Sequence, residues 1–296
     1  LLGRAKSTVS RELRRFEAGV PYDAARAQAA AELLAARPRR PGRVTPSLVA
    51  EIRLALGMGW SPQQIAGRWK QLQRTAAERL SHESIYALIG ADRKARGTLW
   101  QMLPRGGRRR RRDRCGTRRG HRLKVTAAHE IAARPAVINE RRRAGDWEVD
   151  LMIGAGQQGV LLVAMERQSR LVRLRALKSK EAEVVQRGLV DLLRKDMVLS
   201  LTYDRGLEWT RHEDVAGALG AVSYFCRPYH SWEKGGVENM NGLLRRYLPR
   251  GIAFPHEEVD HEWIQEVETE VNGRPRRMHG YRTPAEVSEA RRGPAI

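Results

Sequence analysis

Three carboxylates pose the chemical question in this chain. Asp150 lies in the run DWEVDLMI (146–153), Asp204 follows the apolar run 198–203, and Glu238 sits one helical turn into the stretch after Gly235-Gly236. An acid set drawn from three separate elements, with no His or Cys nearby, is an oxygen-only donor set. Such a set suits Mg²⁺ or Mn²⁺ rather than zinc. Two such ions about 3.5–4 Å apart serve an in-line phosphoryl displacement, activating a water or a 3′-hydroxyl and stabilising the leaving oxygen. Each acid alone is indistinguishable from a solvated surface carboxylate. Asp146 and Glu148 alternate with Asp150 on one strand face, so the identity of the first ligand stays open among the three.

These acids need a scaffold, and the hydrophobic pattern supplies one. Residues 146–153 alternate and stop at Gly154, 160–165 read as a buried strand, and 171–177 alternate again. Those three strands predict an antiparallel meander. A helix is expected over 180–195, a strand over 198–203, a helix over 215–219 and a strand over 222–226. The stretch 224–250 then packs a strand end, an aromatic turn, a glycine pair and a helix together. Val237, Met240, Leu244 and Tyr247 form one apolar stripe of that helix, and Glu238, Asn241 and Arg245 form the neighbouring one. A last amphipathic helix is expected over 259–271. The order βββαβαβα is that of the ribonuclease H-like fold, a mixed sheet with helices on both faces. It sets the fourth strand beside the first and predicts that Asp150, Asp204 and Glu238 meet at one edge.

Charge divides the chain differently. Of the net +21, residues 1–124 hold 29 Lys/Arg against 9 Asp/Glu, and residues 125–296 hold 26 against 25. A polyanion held by the first part is the physical reading. An acidic membrane surface is disfavoured, because no segment pairs a basic face with a strong aromatic or leucine face. The longest strongly apolar run, 160–165, is far too short to span a membrane. Two cysteines without a CxxC exclude a disulfide scaffold and suit a reducing cytosol. No signal peptide is visible, and the start at Leu1 reads as an element already under way.

The basic part is predicted to be all-α. Residues 1–40 read as an incomplete helix–turn–helix followed by an alanine-rich helix from Tyr22. Ser7 is a candidate N-cap, and Ser7, Thr8, Ser10, Arg11, Arg14 and Arg15 are candidate DNA contacts on a short reading helix. Residues 44–92 read as a second helix–turn–helix. There Ser61 caps a helix with Pro62 at its first position, and Ser81, His82 and Ser84 open the reading helix. A plain basic surface helix is the competing reading of the first unit, and a structural helical bundle that of the second. Residues 93–140 are expected to be a basic linker. Its core, 105–122, holds ten arginines and one acid, so it reads as a solvated linker or as a tether along DNA through Arg109, Arg110 and Arg111. Residues 141–296 complete the chain as the α/β domain.

Taken together, these stretches resemble the DDE transposases of the IS-thirty insertion-sequence family over nearly the whole chain, 2–287. The resemblance rests on STVSREL (7–13), WSPQQIAG (60–67), SHESIY (81–86), GDWEVD (145–150), TYDRG (202–206), 224–247 and YRTPAE (281–286), and on 33 residues between Asp204 and Glu238. It implies that Asp150, Asp204 and Glu238 hold two Mg²⁺ or Mn²⁺ ions in an integrase-type catalytic core. It implies further that Arg245 meets a phosphate of the element's end, and Lys234 and Asn241 beside it are candidate DNA contacts. Its implied partner is double-stranded DNA, both element ends and target. The implied active form is a homo-oligomer on paired ends, in the bacterial cytoplasm at the nucleoid. Three departures stand out: Arg205 where the family has Asn, Asp146 where it has His, and HSWEKGGVEN (230–239) where it reads closer to SPWQRGTNEN.

Two alternatives are of other classes. A DNA-binding remnant acting as a repressor would leave Arg205 as a cation beside a disabled site. A nuclease for RNA–DNA hybrids would need to read a narrow, deep groove, to which the helix–turn–helix front end is unsuited. Tyr229 and Trp232 could stack on an unpaired base or simply pack. His256 and His261 are five apart, do not share a helix face, and offer no zinc pair.

Overall fold

The computed structural model describes residues 9–10, 13, 21–36, 44–103, 123–228, 230–249, 251–254 and 261–292. Outside these lie the candidate contacts Ser7, Thr8, Arg11, Arg14, Arg15, Arg109, Arg110 and Arg111, together with Tyr229 and His256. The side chains of Trp232 and His261 also lie outside the description.

Two compact units make up the chain, Leu1–Thr45 and Pro46–Ile296. In the first, Ser10 is helical and exposed, and helix α1 spans Ala24–Ala36. Asp23 starts α1, its Oδ1 accepting from the amides of Ala25 at 2.8 Å and Arg26 at 3.3 Å.

The second unit opens with three helices, α2 (Pro46–Gly57), α3 (Pro62–Gln71) and α4 (His82–Lys94). The start of α3 is a full capping box: Ser61 Oγ accepts from the Gln64 amide, and Gln64 Oε1 accepts from the Ser61 amide. Ser81 caps α4 through the Ser84 amide at 3.1 Å. Ile52, Leu56, Ile65, Trp69, Ile85 and Ile89 fill the space between the helices. Leu99 joins that core and is 1% exposed, so the helical unit continues past residue 92. The expected linker of 93–140 is thus in part folded structure. At its far end Leu123 and Val125 pack on the sheet core, the Leu123 amide donates to Arg205 O at 3.1 Å, and Glu130 bridges to Phe225.

The sheet has five strands, β1 (Asp146–Ile153), β2 (Val160–Glu166), β3 (Val172–Leu177), β4 (Ser200–Tyr203) and β5 (Val222–Phe225), in the order β3-β2-β1-β4-β5. Strands β1 to β3 form the expected antiparallel meander, and β4 and β5 add in parallel beside β1. Helices cover both faces, which explains why residues 160–165 of β2 are an unbroken apolar run. Val160, Leu162 and Ala164 face helix α5 (Ala182–Leu193). Leu161, Val163 and Met165 face the other layer. Helix α6 (His212–Leu219) follows β4. The other layer holds α7 (Gly235–Leu244) and α8 (His261–Asn272). Each Leu or Val taken fully out of water contributes about 1.5–3 kcal/mol, so this double-sided core fixes the register of β1 firmly.

Helix α9 (Pro284–Arg292), like the short helix Ala136–Asn139, lies outside the expected elements, and it starts at a second capping arrangement: the Thr283 amide donates to Glu286 Oε2 at 2.8 Å and the Glu286 amide to Thr283 Oγ1 at 3.2 Å. Glu286 also pairs through both oxygens with Arg68 of α3, and Gln64 Nε2 donates to Pro275 O at 2.6 Å. Polar contacts thus fasten the three-helix unit to the end of the α/β domain. Among the described residues no helix is long and apolar enough to cross a membrane.

Candidate active site

Strand register brings the first two acids together. Glu148 on β1 pairs with Thr202 on β4 in parallel. Two residues further along stand Asp150, in the middle of β1, and Asp204, just past the end of β4. Trp147 and Val149 point to the α5 layer. Asp146, Glu148 and Asp150 therefore point toward α7.

Helix α7 then separates the three acids of β1. Asp146 is fully buried; it takes Arg143 Nε at 3.0 Å and the Ser200 hydroxyl at 2.6 Å. Glu148 is 1% exposed and pairs with Arg167, while its Oε2 accepts the Val237 amide at 2.8 Å in the first turn of α7. Both therefore serve the frame, and Glu148 anchors a helix N-terminus. Asp150 alone remains partly open, its side chain 24% exposed. Gly236 is what lets α7 come this close: a Cβ there would lie 2.5 Å from Glu148 Oε2 and 2.5 Å from Arg170 Nη1.

Four polar groups hold the aspartate pair. Asp150 Oδ2 accepts from Asn241 Nδ2 at 2.7 Å, and Asp204 Oδ1 accepts from the Trp209 indole at 2.7 Å and the Gly206 amide at 3.4 Å. The remaining oxygens face one cation. Lys234 Nζ stands 3.1 Å from Asp150 Oδ1, 3.5 Å from Asp204 Oδ2 and 3.1 Å from Val149 O. Burial disfavours the charge on Lys234, but Asp150 and Asp204 outweigh it and raise its pKa above the ordinary lysine value. The turn that delivers Lys234 is tied by Arg227, whose amide and Nε both donate to Glu233 at 2.7 Å.

The sequence-derived candidates therefore separate. Asp150, Asp204, Lys234 and Asn241 come together. Glu238 follows Lys234 by one turn of α7 and is exposed. Among the described residues, no group of three or more His, Cys, Asp or Glu stands close enough to hold a metal ion. Arg245 Nη2 donates to Ile153 O at 3.3 Å, at the end of β1. Lys234, expected to meet DNA, is 5% exposed and faces inward. On α4, Ser81 and Ser84 are exposed and their hydroxyls lie 3.0 Å apart, and His82 is half-buried beside Glu83. Arg205 is turned away from Asp204: its Nη2 donates to Glu130 at 2.9 Å and its Nε to Cys226 O at 3.1 Å.

Two neighbours of the site were not foreseen. Trp209 is the indole donor to Asp204, five residues along the chain. Glu208 is held above the usual carboxylate range by burial, with the charge of Asp204 adding to it. The run DRGLEW (204–209) held the signal for both, a second acid and an indole within a turn's reach of the first.

A mixed sheet of this strand order, with Asp150 in β1 and Asp204 just past β4, has the layout of an integrase-like core, the class of the DDE-type polynucleotidyl transferases. Comparison with known proteins narrows this. The chain is 37% identical over 290 residues to the transposase for insertion sequence element IS4351 of Bacteroides fragilis, covering 96% of this chain and 86% of that protein. It is 36% identical to the transposase of IS1086 of Cupriavidus metallidurans, over 97% of this chain and 86% of that protein. It is 34% identical to the transposase InsI of IS30A of Escherichia coli, over the whole of this chain and 78% of that protein. The chain belongs to the IS30 family of insertion-sequence transposases. No family model matches it. Among solved structures it is similar to the catalytic core domain of BIV integrase, at a TM-score of 0.39 and 21% identity over 50% of this chain and 95% of that one. At that level the likeness adds nothing to the strand order.

Proposed function

We propose that this transposase cleaves the 3′ ends of its element and joins them to target DNA, with Asp150 and Asp204 as the carboxylates that hold the catalytic cation. The observation that carries this reading is the pair itself: two carboxylate oxygens, one from β1 and one from just past β4, aimed at one positive charge. An all-oxygen site that gathers a cation at one point fits Mg²⁺ or Mn²⁺. A divalent ion bound there would supply Lewis acidity to the phosphoryl oxygens. The chain's own groups do the rest. Asn241 and Trp209 fix the outer carboxylate oxygens, so the inner ones are pre-aimed. Glu238, one turn beyond Lys234 on α7, is the third carboxylate for a second ion.

The DNA would be held largely by charge. The basic excess of residues 1–124 gives phosphate contacts that fix position and weaken steeply with salt. Helix α4 offers Ser81 and Ser84 on an exposed first turn for groove contact. Two element ends react together, so a homo-oligomer on DNA is the expected active form. Arg205, the feature on which a non-catalytic remnant would rest, is bound to Glu130 and Cys226 O rather than poised over the site.

The test is a cleavage assay on a labelled duplex carrying the element's own end, with Mg²⁺ or Mn²⁺. Nicking at the end that requires the ion and vanishes in Asp204→Asn is the expected result. Binding without nicking, in both metals, would overturn it.

A further inference from the structure

Lys234 is an unusual lysine for its place. It is 5% exposed, it comes from the turn before α7, and its ammonium donates to Asp150 Oδ1 and Val149 O and forms an ion pair with Asp204 Oδ2 at 3.5 Å. The carboxylates are held from behind by neutral groups, Asn241 and Trp209, which leave both negative charges in place. Without Lys234 the two carboxylates would face each other with no cation between them, Asp150 24% and Asp204 48% exposed. Charge of like sign so placed is costly.

We infer that Lys234 is a built-in counter-ion: it holds the position between Asp150 and Asp204 while no divalent ion is bound, and it withdraws when one binds. This rests on the reading of Asp150 and Asp204 as cation ligands. The argument is one of charge and space. Two carboxylates and one ammonium leave the cluster at −1. A divalent ion added without loss of Lys234 would set two cations against each other on the same two oxygens. An ion taking the place of Lys234 leaves the two carboxylates neutralised and frees an ammonium beside the site. Lys234 is the last residue of the short turn Ser231–Lys234, ahead of α7, so it is not a residue of the packed helix interior. A lysine suits this duty better than an arginine. Its charge is compact and sits on a flexible stem, whereas an arginine fork would lock both carboxylates in place. The freed ammonium stands where a scissile phosphate must approach the carboxylates. Loading of the ion would thereby turn Lys234 from an internal partner into a DNA contact.

Two measurements on the full chain test this. The first is calorimetric titration with Mn²⁺. Lys234→Gln removes the competing charge and is expected to tighten Mn²⁺ binding about tenfold or more, while Lys234→Arg keeps the charge, locks both carboxylates and is expected to bind Mn²⁺ more weakly than the parent. The second uses the unaltered protein, so it does not depend on any variant folding. Amine-reactive labelling read by mass spectrometry should find Lys234 protected in EDTA and several-fold more reactive in Ca²⁺ or Mn²⁺. The inference is overturned if Lys234→Gln binds Mn²⁺ no tighter than the parent, or if labelling of Lys234 does not change with metal, while Asp204→Asn still abolishes Mn²⁺ binding. If Asp150→Asn and Asp204→Asn both bind Mn²⁺ as the parent does, the ligand assignment itself fails, and this inference with it.

Discussion

The row of acids on β1 runs from Asp146 at the strand's start to Asp150 at its middle, and the two ends of that row are treated in opposite ways. At its start, Asp146 and Glu148 are buried, and each is bound by an arginine together with a backbone or hydroxyl donor. At its far end, Asp150 joins Asp204 of the neighbouring strand, partly open, and the pair shares one lysine. Residue type and alternation are the same throughout. The difference lies in the partner. An arginine fork saturates a carboxylate and stays, which suits a frame. A single ammonium shared by two carboxylates leaves them pre-aimed at a cation that another cation can replace. The first end fixes where α7 lies, and the second uses that position.

The comparison is broken most directly by neutralising one acid at each end. Asp204→Asn is expected to reduce end nicking by about 10⁴-fold, or about 5 kcal/mol of transition-state stabilisation, with little change in melting temperature. Glu148→Gln should do the reverse. It leaves Arg167 buried without its carboxylate and weakens the anchor of α7, for a loss of about 3–4 kcal/mol in stability by denaturant unfolding. If Glu148→Gln left stability unchanged and removed only Mn²⁺ binding, the two ends would have exchanged roles and the assignment of Asp150 would fall.

A gentler disturbance acts on the joint between the ends. Gly236→Ala places a methyl 2.5 Å from both Glu148 and Arg170 and 2.6 Å from Met165 Cε. Overpacking of this kind costs about 1–3 kcal/mol, measured by thermal unfolding. It should also slow nicking, because Lys234 and Asn241 ride on the same segment. Gly235→Ala is the control, since nothing lies within 4 Å of a Cβ there. Far from the site, Thr283→Ala removes the cap of α9 and should cost about 1 kcal/mol in stability without altering nicking at saturating metal.

Much of this frame was legible in the residues. Alternation in 146–153 and 171–177, with the apolar run between them, gave the meander, and the order of strands and helices gave the Asp150–Asp204 adjacency. Ser61 and Pro62 marked the start of α3. Other features were not legible, for physical reasons. A period of two makes Asp146, Glu148 and Asp150 equivalent; only the Val237 amide of α7, 89 residues away, tells Glu148 from Asp150. Lys234 reads as a surface cation beside glycines, and its burial follows from packing across 84 residues to Asp150. Helix α9 was passed over although TPAE (283–286) has the spacing of a capping box with proline at the first helical position. Leu99 joins the core of the three helices from beyond the last periodic helix, a packing that helical periodicity does not register.

Arg205 sharpens the contrast with Lys234 and carries the smallest expected effect. In sequence it is the cation nearest to Asp204, and Lys234 is thirty residues further on. In the fold their places are exchanged: Lys234 lies on the carboxylate and Arg205 is drawn off by Glu130 and Cys226 O. If nearness in sequence governed the site, Arg205→Ala would relieve a repulsion and tighten Mn²⁺ binding by about tenfold. If the observed partners govern, Arg205→Ala leaves Mn²⁺ affinity within about twofold of the parent. It then loosens only the packing of residues 123–130 on the sheet, which would show as faster amide exchange at Leu123, whose N–H donates to Arg205 O. Calorimetric titration of that one variant separates the two accounts, because they differ by about 1.4 kcal/mol in a quantity that fold stability alone does not move.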